Sequence, residues 1–173
     1  MMSNLRDWQR QIIKGILEKE GGVSNDDADR GGYTNYGITL PTLRAYRRDP
    51  DLSAADVGAV TAAEAEAIYA SLYAAPFVFV EDPMVFELLV NTAVQHGLPT
   101  LVRFLQGWLK VTVDGSLGPV TQRRMQEALK AAPHHMVGAI SAFRCRIYGQ
   151  LCRHPEQLKF AGGWFNRLAA DLS

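Results

Sequence analysis

The 173-residue chain carries only two cysteines, Cys145 and Cys152, seven positions apart inside a helical apolar pattern. At the rise of an α-helix that spacing separates them by about 10 Å, beyond the reach of a disulfide, so both are expected to be free thiols. No apolar run of eighteen residues occurs, and Met1 to Lys19 is amphipathic and broken by charge. Neither a membrane-spanning segment nor a secretory leader is therefore expected, and synthesis in the cytoplasm is. Charge of one sign is also missing: eighteen Lys and Arg balance eighteen Asp and Glu. No overall field draws the chain to nucleic acid or to an acidic membrane, and no nucleic-acid partner is expected. Histidine, cysteine and acidic residues show no metal-site spacing, and His134 and His135, adjacent after Pro133, read as exposed loop residues. Phosphate loops and Gly-x-Ser-x-Gly elbows do not occur. No metal and no organic cofactor is expected.

Strand-period alternation is almost absent, so the expected class is mainly α, with room for a short β-hairpin in the loop of residues 21–38. Leu5, Trp8, Ile12, Ile13, Ile16 and Leu17 form one apolar helix face that ends near Glu20. Thr39 caps a helix with Pro41 in its first turn, and Thr61-Ala62-Ala63-Glu64 reads as a capping box. Asp82-Pro83 opens a helix with Phe86, Leu89, Val90, Ala93 and Val94 inside, and Gly97 ends it. A further stripe follows in Leu101, Phe104, Leu105, Trp108 and Leu109. Trp108 is expected to pack between residues 1–109 and residues 110–173. Helices are also predicted from Pro119 to Ala131, from Val137 to Cys152 and from Trp164 to Leu172.

The stretch Glu18 to Thr39 carries the candidate chemistry. Glu20 lies three, four, seven and eight residues beyond Leu17, Ile16, Ile13 and Ile12, so it shares their buried face at the last helical turn. Gly21 and Gly22 then end the helix. Burial and the negative end of the helix dipole both disfavour a charged carboxylate, which suits a general acid. Asp29 follows by nine positions and Thr34 by fourteen, across a loop holding Gly31, Gly32 and Gly37.

The pattern E-G-G-(x6)-D-x-G-G-x-T-x-x-G-I-T resembles the signature of glycoside hydrolase family 108, the N-acetylmuramidases of phage endolysins and bacterial toxin-secretion factors. The resemblance extends over most of the chain, because V-D-G-S-L-G-P-V-T (residues 113–121) and G-W-F-N-R also fit, the former resembling a turn of peptidoglycan-binding helical modules. It implies a lysozyme-like helical fold, with residues 1–109 as the catalytic region and residues 110–173 as a peptidoglycan-binding-like region packed on it. The implied reaction is cleavage of the β-1,4 bond between N-acetylmuramic acid and N-acetylglucosamine, with Glu20 as acid. Asp29 would handle the water or organise the loop, and Thr34 would hold that water. Inversion and retention both remain open. So do a lytic transglycosylase acting on the same bond and a non-catalytic wall-binding or export helper.

Tyr33, Asn35 and Tyr36 flank Thr34 and are candidate sugar contacts, with one tyrosine stacking and one packing beneath the loop as the favoured arrangement. Asn91 and Gln95 share a helix face, with His96 beside them. They are read either as hydrogen-bonding partners of the sugar or as a polar contact between helices. The Asp114 turn serves either wall binding or folding alone. The expected partner is the peptidoglycan glycan strand, reached at the cell wall through a holin or an export system.

Overall fold

Residues 4–21, 23–24 and 33–172 are described by the structure, a computed structural model. Two compact units divide the chain, Met1–Val78 and Phe79–Ser173. In the first, helix α1 (Asp7–Glu20) starts two residues after Leu5, the first residue of its predicted apolar face. The reason is a cap: Gln9 Oε1 accepts from the backbone N–H of Arg6 at 3.0 Å, holding Arg6 extended. Ile13, Ile16 and Leu17 are buried, and α1 packs on α4 (Ala62–Tyr69).

Three two-residue strands follow α1: β1 (Val23–Ser24), β2 (Thr34–Asn35) and β3 (Ile38–Thr39), antiparallel in the order β1-β2-β3. Asn35 pairs with Ile38 and Thr34 with Thr39, so Tyr36 and Gly37 alone make the turn. Their φ angles of 52° and 69° are those of the mirror-image turn whose twist matches paired strands. Thr39 caps α2 (Leu40–Arg47) by accepting from the Thr42 N–H.

Thr61 likewise caps α4, but the predicted capping box is only half formed. Both oxygens of Glu64 accept from Arg47 at 2.8 Å instead, which ties α2 to α4. Between these helices lies a five-residue α3 (Ala54–Gly58) absent from the sequence reading. Its capping Ser53 donates to Asp56 from both N and Oγ at 2.8 Å, and that Ser-x-x-Asp spacing was the available signal. α4 continues into a π-helical turn (Ala70–Ala74) and a 3-10 turn (Ala75–Phe77). Pro76, with no N–H to give, lies within the 3-10 turn.

The second unit is built on α5 (Pro83–His96), which is buried from Val85 through Ala93 except at Glu87. Asp82 caps it, and it packs on α6 (Leu98–Leu109) and α8 (Pro133–Leu151). α6 buries Leu101, Val102, Leu105, Gln106 and Leu109, leaving Phe104 and Trp108 half-exposed. The expected stripe is thus rotated, and Trp108 stands at its edge. α7 (Pro119–Ala131) has the predicted bounds. α8 begins four residues before the predicted start because Pro133 fits the first helical turn, so His134 and His135 are helical, though exposed. A 3-10 turn (Pro155–Phe160) and α9 (Ala161–Ala170) complete the unit. Cys145 and Cys152 are free thiols.

Candidate active site

Glu20 is the last residue of α1, and Gly21 ends the helix with φ +74° while donating its N–H to Leu17 O at 3.3 Å. The Glu20 side chain is half-buried. The hairpin brings Gly37 against it: a Cβ on Gly37 would stand 3.1 Å from Glu20 Oε2 and 3.0 Å from Tyr69 Oη. Glycine is therefore required twice, by the positive φ and by the two side chains that occupy the space a methyl group would need.

Tyr69, at the end of α4, is fully buried. Its hydroxyl donates to Tyr36 O at 2.9 Å, pinning the turn at a residue whose positive φ is costly for a bulky side chain. No local pattern in the sequence marks Tyr69, because its partner lies 33 residues away. Tyr73 packs edge-on against Tyr69, ring centroids 5.4 Å apart. Burial raises the Tyr73 phenol above its ordinary range, with a hydrogen bond from Thr42 opposing the shift.

The other candidates separate by what their side chains do. Thr34 is half-buried on β2, and Tyr36 is half-buried at the hairpin tip. Tyr33 lies over α3, with its hydroxyl 2.6 Å from where a Gly58 Cβ would be. Asn35 is 4% exposed, and its amide nitrogen is shared among Val57 O, Gly58 O and Val60 O at 3.0–3.2 Å. That amide anchors the hairpin to the C-terminal end of α3. Asp29 lies outside the described residues.

Asn91 and Gln95 belong to a buried polar network in the second unit. Asn91 Nδ2 donates to Asp171 Oδ1 at 3.0 Å, and Gln95 Oε1 accepts from Arg144 at 3.0 Å and from the Tyr148 hydroxyl at 3.2 Å. Arg144, fully buried, closes the network by an ion pair with Asp171 and a 3.0 Å bond to Tyr148. Both amides therefore make the polar contact between helices that was one of their two readings. The Asp114 turn is similarly engaged. Gln106, 1% exposed, donates to Asp114 Oδ1 at 2.7 Å and to Thr121 Oγ1 at 3.2 Å, and accepts from the N–H groups of Asp114 and Gly115. The aspartate, glycine and threonine of the turn are thus tied to one buried amide. Among the described residues no cluster of metal-ligating side chains occurs, and no helix is long and apolar enough to cross a membrane.

The fold is mainly helical and lysozyme-like, with a carboxyl group at the end of its first helix backed by a hairpin glycine. Residues 13–97 match the family model described as glycosyl hydrolase 108, and residues 100–169 match the one described as a predicted peptidoglycan domain. The chain belongs to the glycosyl hydrolase 108 family, with a peptidoglycan-binding region behind it, and is a glycoside hydrolase acting on peptidoglycan. The solved structure of SagA from Brucella abortus is similar over 94% of this chain and 90% of its own, with a TM-score of 0.79 and 26% sequence identity. No curated protein matches the chain.

Proposed function

We propose that the chain cleaves the β-1,4 bond between N-acetylmuramic acid and N-acetylglucosamine, with Glu20 as general acid. The observation that carries this reading is the placement of a half-buried carboxyl group at the C-terminal end of α1, packed closely against the hairpin glycine Gly37. Glu20 gives its proton to the glycosidic oxygen as the C1–O bond breaks, a step that typically contributes about 10²–10⁴-fold.

Water then adds at C1. Asp29 activates or positions that water, and the Thr34 hydroxyl holds it. A separation of about 6.5–9.5 Å between the two carboxyl groups goes with inversion, and about 5–5.5 Å with retention. Tyr36 offers a ring at the hairpin tip for a sugar to stack on, while Tyr33, just before β2, packs its hydroxyl against Gly58 of α3. The substrate lies in the cell wall, and a holin or an export system is the proposed route to it.

Glu20→Gln tests the assignment, because the amide is nearly isosteric and has no acidic proton to give. Clearing of purified peptidoglycan should be abolished while the melting temperature holds. Activity above a few per cent of the parent removes Glu20 from the role. Mass spectrometry of the fragments reads the reaction type: reducing muramic acid ends are expected, and anhydro ends would make the protein a lytic transglycosylase. Sacculus binding with no ends released would make it a wall-binding accessory.

A further inference from the structure

The region matched by the peptidoglycan model contains a surface groove of about 460 Å³ between α6 and α8. Trp108 and Phe104 form one wall, and Ala142 and Arg146 of α8 lie opposite. Volumes of roughly 300–1,000 Å³ are usual for small-ligand sites. Phe104 is held rigidly by stacking on Phe143, ring centroids 4.3 Å apart at 16°. The Arg146 guanidinium lies 5.7 Å from the Phe104 ring centroid, and no ion pair engages it among the described residues. Trp108 is half-exposed and has no ring partner among the described residues. The groove has no acidic lining residue.

We propose that this groove, rather than the Asp114 turn, is the wall-binding site of the second unit, and that it takes a muropeptide: an N-acetylated sugar ring against Trp108 and a carboxylate of the lactyl group or stem peptide on Arg146. Sugar rings present a flat C–H face that packs on an indole, and a planar guanidinium pairs with a carboxylate through two parallel hydrogen bonds. The groove supplies both, and its only permanent charge is positive. The turn supplies neither, because its aspartate, glycine and threonine are tied to Gln106. The choice of a muropeptide rests on the peptidoglycan reading above.

The test uses the full chain carrying Glu20→Gln, so that the wall is not consumed, and titrates it with a soluble disaccharide-peptide followed by two-dimensional NMR of the indole N–H groups. The Trp108 signal should move, and Arg146→Gln should weaken binding roughly fivefold, the effect of losing one exposed charge pair. Trp108→Leu should weaken it about tenfold. Arg123→Gln, the same charge change at an exposed site on α7, should bind as the parent does. Thermal melts accompany each variant. If Trp108→Leu melts early, Arg146→Gln and Ala142→Glu, both at exposed positions, decide alone. Parent-like binding by both overturns the proposal, as does a fixed Trp108 signal during saturation. A neutral N-acetylglucosamine oligomer that binds the parent as tightly as the disaccharide-peptide does, or that loses as much affinity on Arg146→Gln, overturns the carboxylate assignment. Failure of the hydrolysis reading would show separately, as a parent chain that binds the muropeptide through Trp108 and Arg146 yet releases no ends.

Discussion

Gly37 backs directly onto Glu20: an alanine Cβ there would stand 3.1 Å from the carboxylate oxygen and 3.0 Å from the Tyr69 hydroxyl, on a backbone with φ +69°. The end of α1 and the hairpin turn are therefore fitted to each other through the absence of one side chain. Gly37→Ala should cost about 1–2 kcal/mol for the left-handed backbone alone, lowering the melting temperature by several degrees. It should also lower the release of reducing ends at least tenfold, because Glu20 must move to admit the methyl group. Activity within twofold of the parent would show that the acid tolerates that displacement.

Arg144→Met tests the buried network in the second unit. Arg144 and Asp171 pair with both side chains fully buried, and removing one member of such a pair costs about 3–5 kcal/mol because the other charge is left alone. The double variant Arg144→Met, Asp171→Leu should recover much of that loss, since replacing both members removes the stranded charge. Urea titration of the three proteins measures it. A single variant within about 1 kcal/mol of the parent would show that Arg144 is not what holds Asp171.

The parts legible in the sequence were those written in local spacing. The helix into Glu20, the Thr39 and Asp82 caps and the bounds of α7 follow from periodicity and capping residues a few positions apart. The hairpin was only half legible, because its turn places Tyr36 rather than asparagine or glycine at a positive φ. What could not be read were pairings across many residues: Asn35 with the carbonyls at the end of α3, Tyr69 with Tyr36, and Asn91 with Asp171. A polar residue on an apolar face signals only that it needs a partner, and the partner may be a sugar or another helix. Gln106 shows the same limit, since nothing around it marks a residue that organises a turn eight positions away.

His96 gives the second unit a pH dependence. Burial pushes its imidazole down to about 4, and the Arg144 guanidinium adds to the effect. The ring packs between Tyr148 and Phe143, at 5.8 and 6.3 Å between centroids. Between pH 6.5 and pH 4 the unfolded chain binds a proton at His96 that the folded chain refuses, so stability falls as the pH is lowered through that window. The loss should be on the order of 2–3 kcal/mol by pH 4. Asp56, Glu64 and Asp114 all have lowered values, so their contributions are lost at still lower pH. His96→Leu should flatten the profile between about pH 6.5 and 4.5, measured by urea midpoints. An unchanged slope would assign the dependence to another group.

The expected boundary at residue 109 leads to the last prediction. Residues 13–97 match the glycosyl hydrolase model, yet α5, which ends that span, packs on α8 as well as on α6. Cutting after Leu109 removes α7, α8 and α9 and uncovers apolar side chains of α5 and α6, among them Leu101, Leu105 and Leu109. It also strips Asn91 and Gln95 of Asp171, Arg144 and Tyr148, leaving polar groups with no partners inside an apolar surface. A newly exposed apolar stripe of this kind drives association. Residues 1–109 expressed alone should therefore aggregate, and the full chain should melt in one transition. Size-exclusion chromatography and reducing-end release from soluble glycan fragments check both expectations. A soluble, active 1–109 fragment would show that α5 and α6 hold their fold without α8, and that residues 110–173 form a separable domain.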